Sequence, residues 1–161
     1  MQTTSEPAEI KNHIRITNTI YYSLAAGMLL FFIVIIVLIQ DKEILSDTNI
    51  DNIFMMIVPV FGFIMMFISR MFYNQLISKA DAGTSLIQKI SVYRTAKIVT
   101  WAMLEGACFF ALVATLLTSN YLYVAVFIFL FGYFFLMKPS KESLIRDMRL
   151  NSDESDLILK S

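Results

Sequence analysis

The sequence has little of what most catalytic sites are built from. Its 161 residues include one cysteine, Cys108, and one histidine, His13. A single cysteine excludes an internal disulfide, and histidine-dependent metal sites or catalytic triads need partners that His13 lacks. Phosphate-binding glycine loops and nucleic-acid-binding motifs are also missing. We therefore expect no metal, no cofactor and no nucleic-acid partner.

Charge is scarce too, and it is unevenly placed. The chain is 57% apolar and 16% charged, whereas soluble domains are about half apolar. The apolar residues form four blocks, and about 20 helical residues cross the ~30 Å hydrocarbon core of a bilayer. The sequence predicts an all-α membrane protein, a single membrane domain over residues 1–161 that forms a four-helix transmembrane bundle. The predicted spans are about 19–40, 53–72, 96–118 and 121–137. The first block is too long for a signal-peptide core, so we expect a permanent anchor.

The basic residues predict the orientation. Lys42 lies between the first two spans, among several acidic residues, and it is the only one of the 13 Lys and Arg residues on that side. The other twelve fall before the first span, between the second and third, and after the fourth. Because translocation of Lys and Arg is disfavoured, both termini are expected in the cytoplasm. We expect a multi-pass protein of the cell (cytoplasmic or inner) membrane.

Two cytoplasmic segments are predicted. Residues 70–97 are expected to form a helical hairpin that turns near Gly83, with Ser85 and Gln88 as a capping box for its second helix. Its basic surface is a solvated face or a contact for anionic lipid or a partner. That surface comprises Arg70, Lys79, Lys89, Arg94 and Lys97. The tail 138–161 should hold a short amphipathic helix after Pro139, lying on the membrane surface or against the hairpin. Its acidic end, from Asn151, is expected to be flexible.

A shift of 79 residues aligns the first span with the third and predicts an internal repeat. Arg15 falls on Arg94, Gly27 on Gly106, and Tyr22 on Trp101. Parallel repeats about an axis along the membrane normal would give two like-directed helical hairpins. The alternative is that these identities are coincidental among mostly apolar residues.

Small residues and one proline predict how the spans pack. Small side chains at four-residue spacing let helices approach closely in lipid. Pro59 removes a helical hydrogen bond and is expected to kink the second span. The packing candidates are Ser23, Gly27, Gly62, Ala102, Gly106, Ala107 and Ala111. They do not distinguish packing within the chain from oligomerisation.

Glu105 is the one ionisable residue well inside a span. A charge at that depth costs on the order of 3 kcal/mol, so such residues usually have a function. Without a cationic partner at similar depth, we expect a carboxylic acid that is largely neutral at pH 7. Candidate partners are Ser23, Gly27, Gly62 and Tyr133. Three interpretations stay open, namely a polar clamp between helices, proton or ion handling, and ligand recognition.

Residues 102–117, which begin Ala-Met-Leu-Glu-Gly-Ala-Cys-Phe-Phe-Ala-Leu-Val, resemble the carboxylate helix of the membrane-ring proteolipids (subunit c) of rotary ATP synthases. In that family a small residue follows the ion-carrying carboxylate, and an apolar-aromatic pair comes next. The resemblance implies that Glu105 carries a proton or a sodium ion. It covers about 16 residues. The second span holds only Gly62 where that family's partner helix is glycine-rich, and the cytoplasmic loop lacks the family's short polar motif.

The sequence does not itself disclose an activity, and it leaves three functions to weigh. The first is a non-enzymatic scaffold or accessory subunit of a membrane complex, as a homo- or hetero-oligomer. The second is proton or sodium translocation through Glu105 in an oligomer. The third is a small membrane-bound conjugating enzyme that uses Arg70, Asn74, Arg94 and Lys97, whose spacing is not specific. The sequence does not identify a small-molecule ligand.

Overall fold

The structure, a computed structural model, describes residues 6–40, 48–79 and 84–160, and all of its regular elements are helices. Three helices are long and apolar enough to cross a membrane, and a fourth crossing is counted if two helices bent by 76° are taken together. This confirms the prediction of an all-α protein with candidate membrane-spanning helices. The helices are α1 (Glu6–Gln40), α2 (Thr48–Ile77), α3 (Leu86–Thr118), α4 (Leu122–Leu136), α5 (Lys141–Asp147) and α6 (Ser152–Lys160). The bent pair is α4 and α5.

Helix α3 lies at the centre of the fold. Helices α1, α2 and α4 all pack on it, and α1 and α2 pack on α3 rather than on each other. Its buried positions include Ala107, Ala111 and Ala114, which let neighbouring backbones come close. The first two long helices therefore do not form the packed hairpin that the third and fourth form.

An aromatic cluster ties α1 to α3 and α4. The ring of Tyr21 stacks on Phe134 with centroids 4.9 Å apart, and Trp101 lies 5.2 Å from Tyr21. The Trp101 Nε1 donates to the carbonyl of Met137 at 3.3 Å. Farther along α1, Phe32 stacks on Phe127 at 5.0 Å. Such ring pairs contribute about 0.5–1.5 kcal/mol each beyond the area that they bury.

The outward faces of α1 and α2 are broadly apolar. Leu30, Met56 and Phe67 are among the most exposed, at 66%, 72% and 74%. An apolar surface of this extent is unusual on a soluble protein but is what a lipid environment requires. It agrees with the composition of the four predicted spans.

A second core lies at the opposite end of α3 from its tight turn into α4. Ile10 of α1, Ile90 of α3, Leu144 of α5 and Ile158 of α6 are all buried in it. The amphipathic helix that begins after Pro139 thus packs against the start of α3, one of its two predicted positions. The prediction of a flexible acidic end from Asn151 was wrong. Ile158 is fully buried, so α6 has an apolar anchor that the acidic composition of the segment concealed.

The helix caps differ from the prediction. Ser85 precedes α3 but its side chain makes no capping hydrogen bond, so the predicted capping box is absent. Ser140 forms one instead, accepting from the Ser143 backbone at 3.1 Å while the Ser143 hydroxyl bonds back. The predicted turn at 81–83 and the acidic loop at 41–47 lie outside the described residues.

The burial of Ile158 predicts that this side chain is the apolar anchor of α6. Ile158→Ala should lower the free energy of unfolding of the second core by about 2–5 kcal/mol, because it leaves a cavity. Hydrogen exchange of the α6 amides, followed by mass spectrometry, measures the effect. Leu159→Ala is the matched control, since Leu159 is 54% exposed and its loss should change protection little. Equal effects of the two variants would contradict the anchoring role.

Candidate functional sites

Glu105 lies at the edge of the buried face of α3. Its side chain is half-buried, with buried Trp101 and Cys108 on one side and exposed Ala102 and Gly106 on the other. Within the described part of the chain its carboxyl group has no hydrogen-bond partner. None of the four candidate partners, Ser23, Gly27, Gly62 and Tyr133, makes a hydrogen bond to it. Helix α3 therefore places an acid at the edge of its buried face, with no hydrogen-bond partner among the described residues.

The surroundings of Glu105 are open because the neighbouring residues are small. A Cβ built at Gly106 or at Gly27 would meet nothing within 4 Å. Ser23 and Ala102 are exposed. Among the described residues, no other helix therefore lies against Gly106 or Gly27, and the role of all four positions in packing stays a prediction.

The remaining packing candidates face inward. Ala107 and Ala111 are buried in the core of the bundle. A Cβ built at Gly62 would lie 3.2 Å from Leu130 Cδ1, so this glycine allows α2 and α4 to meet closely. Pro59 lies inside the continuous helix α2 and borders an apolar cavity of about 260 Å³ between α2 and α4.

A polar layer joins α2, α3 and α5 next to the second core. The Tyr73 hydroxyl donates to Asp147 Oδ2, and the Tyr93 hydroxyl bonds the Ser143 hydroxyl. The Lys97 Nζ lies over both tyrosine rings, 4.9 Å from the centroid of Tyr73 and 5.4 Å from that of Tyr93. Cation–π contacts of this kind strengthen when they are desolvated, and Lys97 is buried.

A buried ion pair fixes α6 to α3. The Lys89 Nζ lies 2.8 Å from Glu154 Oε1, and the two side chains are 9% and 17% exposed. Burial alone would raise the pKa of Glu154, but hydrogen bonds from Lys89 and from the Asn151 backbone N–H outweigh it and hold the pKa below its ordinary value. The carboxylate therefore stays charged and bonded at neutral pH.

The predicted basic surface is mostly used inside the protein. Lys89 and Lys97 have the partners just described, and Arg94 bonds His13 Nδ1 at 3.0 Å. Arg70 and Lys79 remain exposed. The predicted basic surface is therefore reduced to two exposed side chains.

A second group of polar contacts lies at the opposite end of the bundle, around Asp51. Asp51, in the first turns of α2, accepts from Asn120 Nδ2 at 3.0 Å and from the Tyr123 hydroxyl at 2.7 Å. Asn120 follows Ser119, whose left-handed backbone (φ 54°) ends α3. These hydrogen bonds therefore hold the tight turn between α3 and α4 against the start of α2.

Reasoning from the sequence did not single out these partners. Asp51 and Asn120 lie outside the predicted spans, in segments that the sequence marks only as polar. Asp147 and Glu154 belong to a tail whose sequence carries no long-range signal. Spacing along the chain shows neighbours on one helix, but each of these bonds joins residues at least 65 positions apart.

No protein-family model, curated protein or solved structure matches this chain.

The ion pair predicts that α6 docking depends on pH. A carboxylate whose pKa is lowered by folding stabilises the fold above its unfolded pKa of about 4.3 and loses that effect as the pH falls through its folded value. Protection of the α6 amides from hydrogen exchange should therefore fall when the pH drops below about 4.3.

Glu154→Gln should lower protection at pH 7 by about 1.5–3 kcal/mol, the range for a hydrogen bond to a charged group, and flatten the acid response. Asp153→Asn is the control, because Asp153 is exposed and has no ion pair among the described residues. An unchanged acid response in Glu154→Gln would show that another group controls docking.

Proposed function

We propose that this chain is a non-enzymatic scaffold or accessory subunit that assembles inside the membrane through the face of α3 that carries Glu105. The observation that carries the proposal is a half-buried carboxyl group without a partner in the described chain, beside the exposed small residues Ala102 and Gly106. The occupant that we favour is a second copy of the chain.

The energetics support a partner at this face. An acid left toward hydrocarbon costs on the order of 3 kcal/mol, and a bond to another helix removes part of that cost. Because lipid provides no hydrophobic drive between helices, association depends on close packing and on polar bonds. The open space at Gly106 and Gly27 would admit a backbone near enough to Glu105 for such a bond.

The proposal includes four spans with both termini in the cytoplasm of the cell membrane. It is supported by the basic residues, which gather at the end of the bundle that holds the second core. Helix α4 has 15 residues, about 22 Å, so its crossing would need the flanking turns and tilted or thinned lipid. The predicted duplication into two hairpins stays a proposal without support from the packing of α1.

Ion translocation through Glu105 is the second candidate. The same exposure that favours a contact with another chain also leaves the carboxyl group reachable from a neighbouring subunit, as a carrier would need.

For a conjugating enzyme the support is weaker. Arg94 is engaged with His13 and Lys97 is buried between two tyrosine rings, so neither is free to bind an anionic substrate.

Cysteine cross-linking tests the proposed contact. In a Cys108→Ala background, Gly106→Cys should form a disulfide with a second copy when native membranes are oxidised, because residue 106 lies in the contact. Adding Glu105→Ala should reduce cross-linking roughly five-fold or more if the carboxyl bond contributes about 1 kcal/mol. Glu105→Gln should retain it, since an amide both donates and accepts.

Phe67→Cys is the control, because Phe67 is 74% exposed on α2, outside the proposed contact. Equal cross-linking at residues 67 and 106 would overturn the proposal. If Glu105→Gln keeps the oligomer but abolishes proton or sodium flux in liposomes, translocation is the better description.

Labelling of single cysteines tests the orientation. In intact cells with Cys108 replaced, Lys79→Cys should resist a membrane-impermeant maleimide and Ser119→Cys should react. These positions lie at opposite ends of the long helices, so each controls the other. The reverse pattern would place both termini outside, and reaction at both positions would contradict a sealed topology.

A further inference from the structure

The N-terminal half of α1 carries an open basic groove that takes part in none of the contacts described above. Lys11, Arg15, Asn18 and Tyr22 lie at helical spacings that place them on one face, and all four line an open cavity of about 650 Å³. Lys11, Arg15 and Tyr22 are exposed. From Lys11 to Tyr22 the groove runs about 16 Å along the helix.

A basic residue from another helix end lies next to this groove. The Lys138 Nζ, just after α4, is 5.8 Å from the centroid of the Tyr22 ring. Tyr22 is 52% exposed, and beyond it the outward face of α1 continues with Leu29 and Leu30, which are exposed and apolar. Cations therefore meet an apolar helix face at an amphipathic aromatic ring, the arrangement found where a membrane meets water.

The cations of this groove are available, in contrast to those of the polar layer. Within residues 6–40, 48–79 and 84–160, no carboxylate pairs with Lys11, Arg15 or Lys138. The nearby Glu9 is directed to His13, with Oε1 3.9 Å from its Nε2. These exposed cations are therefore free to bind an anion from outside the chain.

We propose that the groove along α1, between Lys11 and Tyr22, binds the phosphate of an anionic phospholipid. Arg15 presents a planar fork that suits a phosphate, Lys138 supplies a second cation beside Tyr22, and Lys11 extends the basic surface outward. The acyl chains of the lipid lie along the exposed apolar face of α1. The inference rests on the membrane placement in the proposed function, but not on the contact at Glu105.

Native mass spectrometry of the purified full chain tests the site. The probes are phosphatidylglycerol and phosphatidylcholine with identical acyl chains. The protein should retain phosphatidylglycerol preferentially, and Arg15→Gln with Lys138→Gln should reduce its apparent affinity about 25-fold at low ionic strength. That figure corresponds to roughly five-fold for each removed cation near the surface.

Arg70→Gln with Lys79→Gln is the matched control, because it removes two exposed cations from the same end of the molecule. It should change lipid retention less than two-fold. An equal loss in the control, or no preference in the unaltered protein, would overturn the proposal. Inorganic phosphate in large excess should leave the lipid bound, and displacement by it would also overturn the proposal by indicating a free-anion site.

Failure of this inference is distinguishable from failure of the proposed contact. If Gly106→Cys cross-links as expected and the lipid preference is absent, the lipid site alone is refuted. If cross-linking fails while Arg15 and Lys138 determine the lipid preference, the lipid site stands and the intramembrane contact is refuted.

Discussion

The position of α3 between α1, α2 and α4 is the constraint on which the rest of the structure depends. A helix that packs on three others must be narrow, and alanines at positions 107, 111 and 114 make it so. The same helix continues past the apolar region into a second core, where Ile90 and Tyr93 replace the alanines. One continuous helix thus connects the apolar bundle to the second core.

Polar bonds are concentrated at the two ends of the bundle rather than in its middle. At one end Asp51 binds Asn120 and Tyr123, and at the other Tyr73 binds Asp147. Helix α2 is therefore held at both ends by polar hydrogen bonds, while its middle makes apolar contacts around Gly62. This division follows from the cost of unsatisfied polar groups in hydrocarbon.

Much of the helical architecture could be predicted from the sequence, because apolar length and periodicity are local properties. The apolar runs mark helices α1 to α4, and the turn at Thr118-Ser119-Asn120 is visible as three short polar residues. The clustering of Lys89 with Glu154 and of Ile10 with Ile158 could not be predicted, since it depends on how the tail folds back. Acidic composition suggested a flexible end, but one buried isoleucine and one ion pair order it.

Glu105 marks the limit of reasoning from sequence. Its rarity inside a span identified it, yet its rarity does not reveal which way the side chain faces, and the half-buried edge position comes only from the packing of α3. Helix α1 packs on α3 through Tyr21 and Phe31, on either side of Gly27. A Cβ built at Gly27 or at Gly106 meets nothing within 4 Å, so both positions are open. Open positions beside an acid that has no partner among the described residues support the proposed contact with a neighbouring helix, because close packing and polar bonds drive helix association in lipid.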